Sequence, residues 1–279
     1  MDDDVHLARM AKTLSFQTIF PRPEVRQVAP IPNPGDAQRM ALPERHPQVL
    51  RQLETRKSVT HFQPGRPMPL EDVRALAYYA SQAPSSSNLQ HWRFLALVDP
   101  DQKNLLRGYA LGQRKVSDCS AVFVVLADLR AVDEMARLTD AAIRANIFGE
   151  DMRETWNRLA DNYRDEQVNR DEALRSAALA SMNLMTAAHA LGYVSGPVGG
   201  FNADGVSKAF GIPSHHLVSL IICVGHEGEG NWTKKPRKPV DEILFIDRMR
   251  PGSQASLPSR SEQSLGLQRI DGGGQRGMG

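Results

Sequence analysis

A largely apolar run at residues 171–193, leading directly into Ser-Gly-Pro-Val-Gly-Gly-Phe at 195–201, constrains this chain more than any other feature. Leu174, Ala177, Ala178, Met182, Met185, Ala188 and Leu191 leave little polar face, which predicts a central buried helix. Glycine stands where the backbone must approach something closely, or where φ is positive. The stretch after the helix therefore has two readings. It is an ordinary tight turn between helix and loop, or it offers free amide N–H groups to a flat or anionic ligand.

A buried helix needs layers to bury it, and the rest of the chain supplies them. A helix is predicted over residues 69–82, with Val73, Leu76, Ala77 and Ala80 on one face, followed by a strand at 93–98. Asp99-Pro100 reads as an N-cap with proline at the first helical position, opening a helix that buries Leu105, Leu106 and Tyr109. Residues 121–127 form a near-continuous apolar strand of the kind buried on both faces. Residues 129–167 are helical, charged and broken near Ile147-Phe148-Gly149, as a solvated face or a mobile lid would be. Asn202 caps a short helix ending at Gly211, residues 217–224 form a third core strand, and 243–246 a fourth short one. Strands and helices interleave without a strict βαβ rhythm, so the expected fold class is an α+β layered sandwich.

Composition narrows the function classes. The 279 residues carry a formal net charge of +2 from 34 basic and 32 acidic residues, so no global field points to nucleic acid or an anionic membrane. Cys119 and Cys223 lie far apart in apolar runs, without metal-ligand spacing, and read as reduced core residues. The chain begins Met-Asp-Asp-Asp with no apolar targeting segment and has no long uncharged apolar run; a cytoplasmic protein is expected. Residues 1–48 carry seven prolines and read as an extension, with a short helix over 5–14. Residues 49–250 form the expected domain, and 251–279 a Gly/Ser-rich disordered tail.

The common site motifs are missing: there is no Gly-x-Gly-x-x-Gly after a strand, no Walker loop, no His-Glu-x-x-His and no Gly-x-Ser-x-Gly. Adjacent His215 and His216 read as surface or cap residues, and no metal is expected. Four polar clusters remain: Arg56-Lys57-Ser58-Val59-Thr60-His61-Phe62, Ala83 through Trp92, Gly112-Gln113-Arg114-Lys115, and Lys234-Lys235-Pro236-Arg237-Lys238. Singly, each is a solvated basic loop or a helix-ending turn. Together they match the needs of a flavin mononucleotide. Its phosphate wants guanidinium and ammonium groups from more than one loop, its ribityl chain wants hydroxyls and an amide, and its ring wants amide donors, a nearby cation and a backbone N–H at N5.

In these clusters the chain resembles the FMN-dependent nitroreductase family. The likeness spans about residues 56–245, and its markers occur in family order: Arg-Lys-Ser at 56–58 with Phe62, Ala-Pro-Ser-Ser-Ser-Asn-Leu-Gln-His-Trp at 83–92, Gly-Gln-Arg-Lys at 112–115, Gly-Pro-Val-Gly-Gly-Phe at 196–201 and Lys-Pro-Arg at 235–237. The resemblance implies a mixed, mainly antiparallel sheet flanked by helices, in an intertwined homodimer with two FMN sites at the subunit interface. The segment after Lys-Pro-Arg would reach across to the partner's sheet. It further implies that Arg56, Lys235 and Arg237 hold the phosphate, Ser58 the ribityl region, and Gln113 and Lys115 the pyrimidine side. Gly199 and Gly200 would present backbone N–H near N5, and Lys57, Pro197 and Val198 complete the set from the same loops. Pro84, Ser85, Ser86 and Asn88 would come from the other subunit. Apart from the resemblance, Phe148 and Trp156 in the charged segment are expected to line the acceptor side. Two positions depart from the family pattern: Thr60 replaces a commonly basic residue, and His91 the usual proline before Trp92.

The implied activity is ping-pong hydride transfer from NADH or NADPH through flavin N5 to a nitroaromatic or quinone-like acceptor, without a side-chain general acid. Two other readings stay open on sequence. One is an enal, semialdehyde or enone reductase on the same fold; the other is a flavin-binding or flavin-consuming protein without an exogenous acceptor. A soluble scaffold with basic loops and no flavin is the simplest alternative.

Overall fold

A computed structural model describes residues 47–249, of which 47–235 belong to one compact unit and 236–249 to a second. The helix expected over 5–14 and the glycine-rich tail lie outside the described residues.

The unit is built on strand β2 (Ala121–Asp128), whose residues are all buried. Its side chains alternate between two cores because successive residues on a strand point to opposite faces. Ala121, Phe123, Val125 and Ala127 face one core, and Val122, Val124 and Leu126 the other. The antiparallel sheet runs β1-β2-β4-β3, with β1 at Trp92–Leu97, β4 at His216–Gly225 and β3 at Val194–Pro197. The β2–β4 register places Val125 opposite Leu220 and Leu126 opposite Val218, so Ser219 is bulged.

Helix α1 (Pro47–Thr55) precedes α2 (Leu70–Ala80), which buries Val73, Leu76 and Ala80 as its periodicity predicts. Helix α3 (Pro100–Tyr109) starts at Asp99, whose carboxylate accepts from the Asp101 and Gln102 amides at 2.9 and 3.0 Å. Leu106 is buried there, but Leu105 is exposed and Tyr109 half-buried, contrary to the expectation for those two. Lys103, three residues before Leu106 on the same face, takes the inward position and donates to the Cys119 carbonyl at 2.6 Å. Helix α4 (Arg114–Asp118) leads into β2. The charged segment forms α5 (Met135–Arg144) and α6 (Met152–Ala160), and the break falls at the expected Ile147-Phe148-Gly149.

The central helix, α7 (Glu166–Ala190), packs on α2 and on the sheet and buries Ala173, Ser176, Ala177, Ala180, Ser181, Leu184 and Ala188. These small side chains let its backbone sit close to β2 and β4. It is not buried all round: Ala178 and Leu191, expected in the core, are exposed, as is Leu179. Helix α8 (Ala203–Ala209) is capped by Asn202, whose side-chain oxygen accepts from Gly205 N at 2.9 Å. Both cysteines are free and buried.

Two expectations about the later chain are corrected. The stretch at 195–201 is no simple turn, because its first residues form edge strand β3, paired to β4 through Ser195–Val224 and Gly196–Cys223. The strand expected at 243–246 is absent among the described residues; Pro239 instead opens a short helix, α9 (Val240–Ile243), with Asp241 and Glu242 in the first turn where the helix dipole favours them.

Candidate functional site

Strand β3 is where the separate markers meet. Val59 N donates to Ser195 O at 3.1 Å and Ser58 bridges Ser195 in parallel, so the first marker runs along the free edge of β3. The approach is close. A Cβ built on Gly196 would lie 2.2 Å from the Val59 carbonyl oxygen, so this glycine is required by the chain's own backbone and not by a ligand. Lys57 forms an ion pair with Glu227 at 2.7 Å.

The third marker locks the glycine loop from behind. Gln113 donates its side-chain amide to the carbonyls of Gly199 and Gly200 at 3.0 and 3.1 Å, and to Ala110 O at 2.9 Å. Lys115 Nζ donates to Pro197 O at 2.7 Å, and burial lowers its pKa. Because a trans peptide holds N–H and C=O on opposite sides, drawing the Gly199 carbonyl inward turns the Gly200 N–H outward. Gly200 adopts φ of +75°, while a Cβ on Gly199 would meet nothing within 4 Å. The loop is therefore braced on one side and open on the other.

A separate group of basic residues gathers at the end of α1. Arg56 follows α1, and Lys234 donates to the carbonyls of Leu53, at 2.8 Å, and Glu54 at the end of that helix. His189, in the last turn of α7, is 2.8 Å from the Thr55 hydroxyl; burial lowers its pKa, with Arg56 and Lys234 adding to the effect. Asn231 ties this region to the first marker, accepting from Thr60 N and His61 N at 2.9 and 3.0 Å and donating to His61 O at 2.8 Å. Lys235 Nζ lies 4.4 Å from the Trp232 ring centroid. Arg237 belongs to the second unit, where its guanidinium donates to Pro236 O at 3.4 Å.

The second marker is organised elsewhere. Pro84 and Asn88 are exposed, Ser85 accepts from Gln90 N at 3.0 Å, and Ser86 shares a 2.7 Å hydrogen bond with Tyr163, which donates to Ser87 at 3.0 Å. Ser87, Asn88 and Gln90 all have φ near +50°, a conformation costing non-glycine residues about 1–2 kcal/mol each, so the loop is held in shape by its neighbours. One neighbour is a satellite core of Leu89, Ala131, Met135 and Tyr163 against which Trp156 packs. Phe148 stacks on Trp156 at 5.4 Å between centroids. Beneath the loop His91 is fully buried, neither ring nitrogen has a hydrogen-bond partner, and desolvation lowers its pKa to about 4.

His216 is not the surface residue expected. With His215 and buried Asp128 it forms a cluster whose potential ligand atoms lie within 4.8 Å of one another. The Asp128 carboxylate is already engaged by Arg93 at 2.8 Å and by Arg130 N at 2.9 Å, as in a structural ion pair closing the end of the sheet. Thr55, His189, Asn231 and Lys234 are the site neighbours that sequence reasoning assigned no role. Only Lys234, inside a basic run, carried a signal.

The layered α+β fold thus carries a braced glycine loop and, at the end of α1, a gathering of basic side chains, and its class is that of the NAD(P)H-dependent oxidoreductases it matches. Residues 53–226 match the Nitroreductase family, and the chain belongs to that family. It is 32% identical over 199 residues to a Bacillus subtilis (strain 168) protein named "Putative NAD(P)H nitroreductase MhqN", covering 69% of this chain and 95% of the relative. It is 30% identical over 197 residues to an "NADH dehydrogenase" of Thermus thermophilus, covering 68% of this chain and 91% of that protein. A crystal structure from Exiguobacterium sibiricum 255-15, described as a "putative nitroreductase in complex with FMN", superposes with a TM-score of 0.66 at 26% identity, over 71% of this chain and 96% of that one. No helix among the described residues is long and apolar enough to cross a membrane.

Proposed function

We propose that this protein is an FMN-dependent NAD(P)H oxidoreductase that passes electrons to a flat, electron-poor acceptor of the nitroaromatic or quinone type. The observation that carries the reading is the glycine loop, braced from behind by Gln113 and Lys115 and open at Gly199. Bound there, FMN supplies two-electron chemistry between a nicotinamide donor and the acceptor.

The protein's part is orientation and electrostatics. A rigid loop presents its N–H groups without reorganising, which is what makes a preformed donor effective. Lys115 has three N–H donors and spends one on Pro197, leaving positive charge close behind the loop. Arg56, Lys235 and Arg237 are the proposed phosphate ligands, and Ser58 the ribityl contact. Phe148 and Trp156 offer an aromatic surface for the acceptor.

The site is completed by a second copy of the chain. Tyr79 and Leu191 line an apolar groove between α2 and α7, continuous with the uncovered α7 face at Ala178 and Leu179. The strained loop at 84–90 is linked to Tyr163 and Ser176, away from the glycine loop of its own protomer, which suits a segment serving the partner's flavin.

The test is the visible spectrum of the purified protein before and after anaerobic addition of NADPH or NADH. Flavin absorption that bleaches with either donor is the expected result. A colourless protein that takes up no added FMN overturns the reading. Arg56→Ala, Lys235→Ala and Arg237→Ala should each weaken FMN retention; full retention in all three would remove the phosphate assignment.

A further inference from the structure

Asp128, His215 and His216 play no part in the flavin reading. We propose that these three side chains bind a divalent transition-metal ion of the zinc type, which clamps the turn before β4 to the end of β2.

Strand pairing brings the three together. Asp128 ends β2 and stands opposite His216, the first residue of β4, and directly opposed residues of an antiparallel pair share a face. His215 would point the other way if it continued the strand. It lies instead in a turn closed by His216 N, which donates to Pro213 O at 2.9 Å, and its own carbonyl accepts from Leu129 N at 2.8 Å. The two imidazoles consequently sit side by side, with ring centroids 4.2 Å apart. The potential ligand atoms of the cluster lie within 4.8 Å of one another, and His216 Nε2 is already 3.7 Å from Asp128 Oδ2. Nitrogen and oxygen ligands of zinc stand about 2.0–2.2 Å from the ion and hence roughly 3–3.5 Å from each other, so side-chain shifts of about 1 Å complete the set.

The donors have capacity to spare. Nδ1 of His216 is buried without a hydrogen-bond partner among the described residues, and 3.7 Å is too long for a hydrogen bond from Nε2 to Asp128. The Asp128 carboxylate accepts from Arg130 N and pairs with Arg93, but an ionised carboxylate offers about four lone-pair positions. Arg93 does not depend on that pair, because its Nη1 donates to the carbonyls of Gln90 and Trp92 at 3.0 and 2.9 Å. The same guanidinium decides which ion the cluster takes. Its charge opposes any cation held by Coulomb attraction alone, which disfavours a hard ion such as magnesium that needs oxygen ligands. An ion that bonds imidazole nitrogen is penalised less, and two histidines with one carboxylate are a zinc-type donor set. An entry path exists, since His216 lines a cavity of about 400 Å³ that has Asp204, Ser207 and Lys208 on its wall.

The experiment is calorimetric titration of zinc, with magnesium as the contrasting probe, into untagged protein freed of metal by a chelator, for wild type, His215→Ala and His216→Gln. Glutamine keeps much of the side-chain volume at 216, and the variant at His215, in the turn, carries the test alone should the other fail to fold. Wild type should bind one zinc per chain and melt at a higher temperature with zinc than without it. Each folded variant should bind zinc at least about tenfold more weakly and lose the thermal shift. Absence of zinc binding in wild type, an unchanged affinity in either folded variant, or magnesium binding as tight as that of zinc overturns the proposal. None of these outcomes touches the flavin assignment, which stands or falls on the visible spectrum.

Discussion

His91 should make the fold acid-sensitive in a defined window. Its ring is wholly buried with both nitrogens unpartnered, and its pKa is lowered from 6.5 to about 4, chiefly by desolvation and against the attraction of Asp128 and Glu172. The folded state thus keeps the ring neutral while the unfolded chain, with an ordinary imidazole, binds a proton as pH falls below 6.5. Stability is unaffected above that value and declines through the interval down to about 4. At about 1.4 kcal/mol per pKa unit the full loss is at most about 3.5 kcal/mol, with about 2 kcal/mol already gone near pH 5. The assay is urea denaturation of the apoprotein at half-unit pH steps, for wild type, His91→Leu and His91→Phe. Both variants remove the titration and two unsatisfied buried nitrogens, so each should flatten the curve between pH 6.5 and 4 relative to wild type. Identical slopes in wild type and a folded variant would refute the account and assign the acid sensitivity to other groups.

Three shorter predictions concern the glycine loop and its frame. Gln113→Leu removes the side-chain donor to Gly199 and Gly200; we expect FMN affinity to drop about tenfold, the equivalent of about one hydrogen bond, with the circular dichroism spectrum unchanged. Gly200→Ala meets both φ of +75° and the Leu111 Cδ1 at 2.9 Å and should lower stability by about 1–2 kcal/mol, whereas Gly199→Ala enters open space and should leave apoprotein stability unchanged but weaken FMN binding; thermal melts and flavin titrations separate the two. Asp99→Ala should cost about 1 kcal/mol in urea denaturation, because two amides at the start of α3 lose their acceptor.

What could be read before the structure was whatever is decided locally. The caps at Asp99 and Asn202, the break at Ile147-Phe148-Gly149 and the doubly buried β2 are specified by residues within a few positions of each other. Strand β3 was hidden because Val-Ser-Gly-Pro has poor intrinsic strand preference; it is a strand only because β4 pairs with one edge and residues 58–59 with the other. The site divides in the same way. Its residue types, in order, were legible. That Gln113 and Lys115 hold backbone carbonyls more than 80 positions away was not, since no local pattern encodes a partner so distant. Leu105, Ala178 and Leu191 were misplaced for a related reason. Apolar character shows that a side chain can be buried, but not which face of its helix meets the sheet.

Pro197 occupies an unusual junction. As the last residue of edge strand β3 it has no N–H with which another chain could extend the sheet, and its carbonyl is the acceptor for Lys115. The residue that ends the strand is also the anchor from which the glycine loop is hung, while residues 58–59 cover the outer edge of the strand. Strand end and loop geometry therefore share one position, and they should resist independent change. Variants selected for altered chemistry should be found around this proline and not at it.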